Sequence, residues 1–571
     1  MRWASRIRAR RLAAGLVVAA AAVMTSVYPA DIPASAAACP YTPISGAGST
    51  WSYNAINDWI GNVSQYCMRV NYNPVGSTSG RQEFANGTID WGASEIPYGV
   101  KDGNIADPAP PRGYAYMPDT AGGTTFMYNL KIGSRRVTNL RLSGKAIAGI
   151  FTGTITRWNN SIIQQDNPGL TMPNLQIVPV VRSDGSGATS EFTTWMLATQ
   201  PGAWNAYCAK VGRSPCTQTS AYPVLPNSAM RGQSGDLGVS GYVAQAQADG
   251  AIGYVEYSYA LQTGFPVALV LNAGGYYTEP TAQNVAVSLL KAQINTDKSS
   301  PLYLTQNLSN VYTDTDARTY ELSSYSYMIL PTDTSNGFTS NKGFTLGAFG
   351  AYLLCQGQQP LDGIGYSSVP INLVLDGFQQ LQRIPGNRVP NTGTAQIKSC
   401  NNPTFDPTDT LGRNKLAETA PFPPTCDKAG NGQQCTAGTG GAKKTPTPVK
   451  PGAAGSGGSG GSGNASPGAS ASTGAGSGAG SAASAAAQGC SPDSGNCNTA
   501  AQSGQGGSAT VNPVAVASPV SLGDGIRVAL MVLAAGLLLG LILLPPLIAQ
   551  AGRRRRPSGG TGLPGGPGGL Q

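Results

Sequence analysis

Arg182 and Ser186 lie within the stretch Arg182-Ser183-Asp184-Gly185-Ser186-Gly187-Ala188-Thr189, whose residue types suit the capture of an anion. A guanidinium presents a planar fork of N–H donors that matches a carboxylate or a phosphate. Residues 177–181 before it are a short apolar run that reads as a strand. Residues 190–197 after it read as the first turns of a helix. A Gly/Ser turn that ends a strand and opens a helix leaves backbone N–H groups at the positive end of the helix dipole, an arrangement that favours an anion. The same pattern also suits an ordinary strand-to-helix turn with a surface ion pair, so other stretches must support the anion reading.

Composition removes most competing chemistries. The 571 residues include no histidine, which excludes Ser-His-Asp and Cys-His catalysis and the commonest metal ligand. No paired carboxylates and no metal-ligand cluster stand out, so neither a cofactor nor a metal is expected and the chain does not read as an enzyme. The formal charge of +9 is concentrated at the ends. Residues 1–38 carry five Arg and one Asp, net +4, and Arg553 to Arg556 carry another +4, which leaves +1 for everything between. A nearly neutral body argues against a nucleic-acid partner.

Three further turns occur upstream: Gly46-Ala47-Gly48-Ser49-Thr50-Trp51, Val75-Gly76-Ser77-Thr78-Ser79-Gly80 and Asp90-Trp91-Gly92-Ala93-Ser94-Glu95. Downstream lies Asp249-Gly-Ala-Ile-Gly-Tyr-Val-Glu-Tyr-Ser-Tyr259. In this order and at these spacings, the motifs resemble the phosphate-binding proteins that feed ABC-type phosphate importers, over roughly residues 44–385. The resemblance implies a two-lobed α/β fold of the periplasmic-binding-protein type (type II-like), with inorganic phosphate held in the cleft between the lobes. It implies delivery of that ion to an ABC permease. Carried over by position, the phosphate ligands would be Thr50, the backbone of Trp51, Ser77, Glu95, Arg182, Ser186, Gly187 and Ala188. Asp184 would hold the guanidinium from behind. Two positions depart from the family pattern. Glu95 replaces the usual Asp, which moves the carboxylate by about 1.5 Å. Ala188 replaces a hydroxyl residue, and Thr189, one position late, is the substitute at hand.

The residues themselves read consistently with this. Alternating strand-like and helix-like runs, with polar turns after the strands, indicate a parallel α/β sheet whose ligands bind at the strand carboxyl ends. Residues 120–129 read as an extended run, which the resemblance implies is where the chain crosses from the first lobe to the second, and 320–330 reads as the return. Tyr254, Tyr257 and Tyr259 read as core or cleft wall. The expected organisation is a secretory signal over 1–38, then a binding body over 39–400. Lobe I takes about 41–121 and 322–400, and lobe II about 122–321. A Pro/Thr-rich extension with two cysteines follows over 401–436, then a Gly/Ser/Ala-rich spacer over 437–525. Residues 528–549 are 22 uncharged residues, long enough to span a bilayer, so 526–550 reads as a transmembrane helix. The Arg run in the tail 551–571 then lies in the cytoplasm, with the body outside the cell membrane.

The ten cysteines read as disulfides in an exported protein. Neighbour pairing gives Cys39–Cys67, Cys208–Cys216, Cys355–Cys400, Cys426–Cys435 and Cys490–Cys497, although sequence does not fix connectivity. The functional alternative is a membrane-anchored surface interaction or sensing module on the same scaffold, with altered or lost anion specificity. A phosphatase is disfavoured, because no nucleophile–base pair is recognisable.

Overall fold

Apolar runs that end in glycine or serine form the strands. They are β1 (Ile44–Gly48), β2 (Val70–Asn73) and β3 (Trp91–Ser94), then a small hairpin of β4 (Lys101–Asp102) and β5 (Ile105–Ala106). The long β6 (Tyr114–Tyr128) follows, then β7 (Val178–Arg182), β8 (Arg231–Gln233), β9 (Ala251–Glu256) and β10 (Ser323–Pro331). All except the hairpin join one sheet in the order β8-β7-β9-β6-β10-β3-β1-β2. This computed structural model describes residues 39–390, 393, 397 and 400–442. The expected signal (1–38), the spacer beyond 442, the apolar run 528–549, the basic tail and the Cys490–Cys497 pair lie outside the described residues. Among the described residues no helix is long and apolar enough to cross a membrane.

Both wings of the sheet are parallel, β1 with β2 and β3, and β7 with β8 and β9. The middle departs from the all-parallel expectation. β6 and β10 run antiparallel to each other, and each pairs antiparallel with the wing beside it. The first part of β6 pairs with β10 as far as Gly123, and the rest, from Thr124, pairs with β9. One strand therefore passes from the first lobe into the second. Short local patterns report that a run is extended but not which strand lies beside it, so this pairing was not readable in advance.

Helices start directly after the strand ends: α1 (Tyr53–Ser64), α2 (Ser77–Ala85), α3 (Gly187–Thr199) and α4 (Gly235–Val243). Farther on are α5 (Ala282–Leu289) and α6 (Ser340–Leu354). α1 begins at Tyr53, because residues 49–52 turn around the strand end. α6 starts at a Thr339 cap whose hydroxyl accepts the Lys342 N–H. Trp59, Trp91, Trp158, Trp195 and Trp204 are fully buried and anchor the cores of the two wings. Disulfides join Cys39–Cys67, Cys208–Cys216, Cys355–Cys400 and Cys426–Cys435.

The segment 400–442, where the sequence pattern fades, is packed against both lobes. Asn402 Nδ2 donates to the Val369 carbonyl at 2.9 Å. A helical turn, α7 (Lys415–Glu418), presses Leu416 and Ala417 on Ala286 and Val287 of α5. Asp427 pairs with buried Arg141 at 2.7 Å, and the Gln434 amide donates to the Asn139 carbonyl at 2.7 Å. The strap ends with the Thr439 N–H on the Thr138 carbonyl at 2.8 Å and the Gly441 N–H on that of Phe265 at 3.1 Å. Six residues assigned to the spacer by composition, 437–442, thus belong to the folded body. Removing 400–442 also removes the Cys355–Cys400 crosslink and uncovers α5. A chain of 39–399 is expected to melt at least about 10 °C below one of 39–442, as calorimetry would show. Equal melting temperatures would refute a stabilising strap.

Candidate functional site

Helix packing brings the four turns together. α2 lies directly on the end of β1, where a Cβ on Gly80 would fall 2.2 Å from Gly48 Cα, so only glycine permits the approach. Ser77 therefore reaches the end of β3, and its hydroxyl donates to Glu95 Oε2 at 2.7 Å. Ser49 Oγ donates to Glu95 Oε1 at 2.5 Å. From the other lobe, the α3 start closes on the same carboxylate. A Cβ on Gly187 would lie 1.9 Å from Glu95 Oε2, and the Gly187 N–H donates to Ser77 Oγ at 3.2 Å. Thr78 N–H to Gly185 O, at 3.0 Å, is another bond across the cleft. The two lobes are closed on each other.

Arg182 sits at the carboxyl end of β7 and is 1% exposed. Its Nε donates to Asp184 Oδ1 at 2.8 Å, its Nη1 to Asp236 Oδ2 at 2.5 Å, and its Nη2 to Thr50 Oγ1 at 2.7 Å and Asp184 Oδ2 at 2.5 Å. Thr50 Oγ1 in turn donates to Asp236 Oδ2 at 2.6 Å. Burial alone pushes the guanidinium down, but the two carboxylates outweigh it and hold its pKa above the ordinary value. Burial works upward on Asp184, yet the Arg182 pair brings it below the usual carboxylate range. The pair of acids fixes the fork in one plane, so its orientation is set before any ligand arrives.

Glu95 is the opposite case. Burial raises its pKa, and the Ser49 and Ser77 hydrogen bonds only partly oppose this. Asp119 is fully buried with one oxygen on its neighbour's Thr120 N–H at 2.7 Å. Desolvation, then the charge of Glu95, push it up to about 8. A carboxyl raised in the folded state contributes stability that is complete below its unfolded value near 4 and is lost as pH rises toward 8. Asp119→Asn is therefore expected to flatten the fall in stability between pH 4 and pH 8, measured by urea melts across that range. An unchanged slope would refute it.

The expected site residues divide in a clear way. Thr50, Arg182 and Asp184 form one hydrogen-bonded group, and Ser77, Glu95 and Gly187 form a second. Ser186 caps α3, accepting the Thr189 N–H at 3.2 Å. Ala188 is buried beside it and offers no side-chain donor. The Thr189 hydroxyl meets the Tyr254 hydroxyl at 2.7 Å, and Tyr254 in turn accepts the Arg182 N–H at 3.1 Å. That engagement places Thr189 behind the loop, supporting it. Trp51 is buried, its carbonyl taken by the Tyr366 hydroxyl at 2.6 Å and its indole N–H by Thr124 at 3.1 Å. Tyr259 donates to the Thr50 carbonyl at 2.5 Å.

Two members escaped the sequence reading. Asp236 is fully buried, pairs with both Arg182 and Thr50, and accepts the Glu256 N–H at 2.9 Å. Its signal was present: β8, Gly235 and α4 repeat the strand–glycine–helix turn of the other motifs. Ser49 lies inside a motif already singled out, next to Thr50.

A sequence profile of the PBP superfamily domain matches residues 33–356. The chain is 30% identical over 343 residues to the phosphate-binding protein PstS of Xylella fastidiosa, covering 60% of this chain and 85% of that one. It is 27% identical over 332 residues to PstS of Haemophilus influenzae, covering 58% of this chain and 90% of that one. A crystal structure of a phosphate-binding protein from Stenotrophomonas maltophilia aligns at a TM-score of 0.42 and 15% identity, over 63% of this chain and 98% of that one. With its strand-end turns bringing buried donors and acids together from two lobes, the chain belongs to the PBP superfamily and, within it, to the family of the PstS phosphate-binding proteins.

Proposed function

We propose that the protein binds inorganic phosphate between its lobes, outside the cytoplasm, and delivers it to an ABC-type permease. One observation carries this reading: Arg182, fixed by Asp184 and Asp236, lies with Thr50 in a closed cleft where Ser77 and the α3 start meet Glu95. The proposed ligand set is Thr50, Trp51 N–H, Ser77, Glu95, Arg182, Ser186, Gly187 and Ala188. Membership in the PstS family supports it, since the relatives are named for phosphate binding. The role is binding and transport, without a chemical step. Four disulfides fit an oxidising compartment. Residues 528–549 followed by Arg553 to Arg556 would tether the body to the outer face of the cell membrane.

Calorimetric titration of residues 39–442 with phosphate and then sulfate tests the binding. Heat with phosphate alone supports the receptor. No heat and no thermal shift with either anion, on folded and anion-free protein, would refute it. One feature favours the second reading, a surface module with a lost ligand: two hydroxyls of the set already donate within the protein, Thr50 to Asp236 and Ser77 to Glu95. The same titration decides between the two. Fractionation of cells expressing the full chain, with and without 526–550, tests the tether.

A further inference from the structure

The geometry points to Asp102, at the tip of the β4–β5 hairpin, as a latch residue that holds the cleft shut and sets the rate of ligand release. The hairpin leaves the first lobe between β3 and β6 and reaches the loop 213–220 of the second. Asp102 Oδ1 accepts from Arg213 Nη2. Its Oδ2 accepts from Thr219 Oγ1 at 2.8 Å and from the Ser220 N–H at 3.1 Å. The Gly103 N–H donates to Thr217 Oγ1 at 2.7 Å. One carboxylate thus takes three donors from the opposite lobe, and the next residue adds a fourth bond.

The receiving loop is not a loose surface segment. Cys208–Cys216 crosslinks its start. Thr193 of α3 accepts the Thr219 N–H at 2.9 Å, and Thr194 Oγ1 donates to the Gln218 side chain at 2.6 Å. Ser220 is the junction. Its carbonyl accepts the Ser186 N–H at 2.9 Å, its hydroxyl meets Thr78 Oγ1 at 3.2 Å, and its N–H is held by Asp102. Ser186 opens the anion loop and Thr78 follows Ser77. The hairpin therefore pulls on the two helix starts that form the cleft. A cavity of about 440 Å³, lined by Thr78, Asp102, Arg213 and Ser220 among others, lies behind the latch. The hairpin bridges open space there, so these bonds rather than close packing hold it.

The Asp102 and Arg213 side chains are 35% and 20% exposed. Salt therefore screens the pair and weakens the latch, whereas the buried Arg182 pairs are shielded. This inference rests on the phosphate reading for its kinetic arm. In stopped-flow measurements, Asp102→Ala is expected to speed phosphate release roughly tenfold with little change in association. Asp102→Asn, which still accepts the Thr219 and Ser220 donors, should recover part of the loss. Raising the salt should speed release from the parent and leave Asp102→Ala nearly unaffected. Release from Asp102→Ala at the parental rate would overturn the proposal.

A second readout does not need ligand binding to succeed. Hydrogen exchange at Gly103 and Ser220 is measured for the parent and Asp102→Ala, each with and without phosphate. Protection at Ser220 in the parent under either condition, lost in the variant, supports the latch even if phosphate gives no heat. Fast exchange at both amides in the parent under both conditions, or equal protection in the variant, would overturn it.

Discussion

Arg182→Ala is expected to abolish phosphate binding and to destabilise the fold by about 3–5 kcal/mol, because two carboxylates lose the charge they share. Asp236 is fully buried, and the Asp184 side chain is 11% exposed. Without the guanidinium both are left without their counter-charge, and Asp184, now held below its ordinary value, should rise. The variant should therefore lose more stability at pH 8 than at pH 4, the direction set by acids that must charge as pH rises. Arg182→Lys separates binding from folding. A single ammonium keeps the charge but cannot reach Asp184, Asp236 and Thr50 in the fork geometry seen here. It should fold, melt within a few degrees of the parent, and bind phosphate at least about a hundredfold more weakly. Parental affinity in the lysine variant would show that the fork is not the anion's partner.

Glu95→Gln is expected to erase the distinction between phosphate and sulfate. Both Glu95 oxygens accept hydroxyl protons, from Ser49 and Ser77, and the group lies against the α3 start. An ionised carboxylate can only accept, so a ligand there must bring a proton. Phosphate keeps one at neutral pH and sulfate does not. The mismatched pair leaves a buried acceptor unpaired, worth about 1–3 kcal/mol, or roughly ten- to a hundredfold in affinity. A glutamine supplies N–H donors as well, so sulfate should gain by that factor while phosphate loses. The neutral side chain also removes a buried acid whose pKa is raised, so stability at pH 7 should increase. Sulfate binding that stays absent in the variant would show that selectivity resides elsewhere.

What was legible in the chain was what local chemistry dictates. A strand that ends in Gly/Ser and opens a helix exposes donors at one place, and the Arg182 loop with Ser186 is legible in that way, whereas Thr50 and Ser77 enter through the resemblance that the other motifs carry. Asp236 obeys the same rule but sits 54 positions after Arg182, and nothing local pairs it with a guanidinium. The β6–β10 pairing and the Asp102 contacts are likewise set by which elements meet in space, which periodicity does not encode. The strap misled for a different reason. Its Pro/Thr-rich composition reads as an extension apart from the binding body, yet Phe405, Leu416 and Ala420 are buried and Asp427 neutralises a buried Arg141. A few apolar residues set against an existing surface suffice to order such a segment, although they could not build a core alone.

The first and last described residues of the body lie on different lobes. Its start is fixed to the first lobe, through Cys39–Cys67 and the Thr42 N–H on Thr345 of α6 at 2.9 Å. Its end is fixed to the second, through Thr439 and Gly441. The two ends thus ride on opposite jaws, and the distance between them is a ruler for the cleft. Dyes attached just outside residues 39 and 442 would report opening and closing by energy transfer, with no label near the site. A pull applied at residue 442 reaches the second jaw first, through the Thr439 and Gly441 bonds.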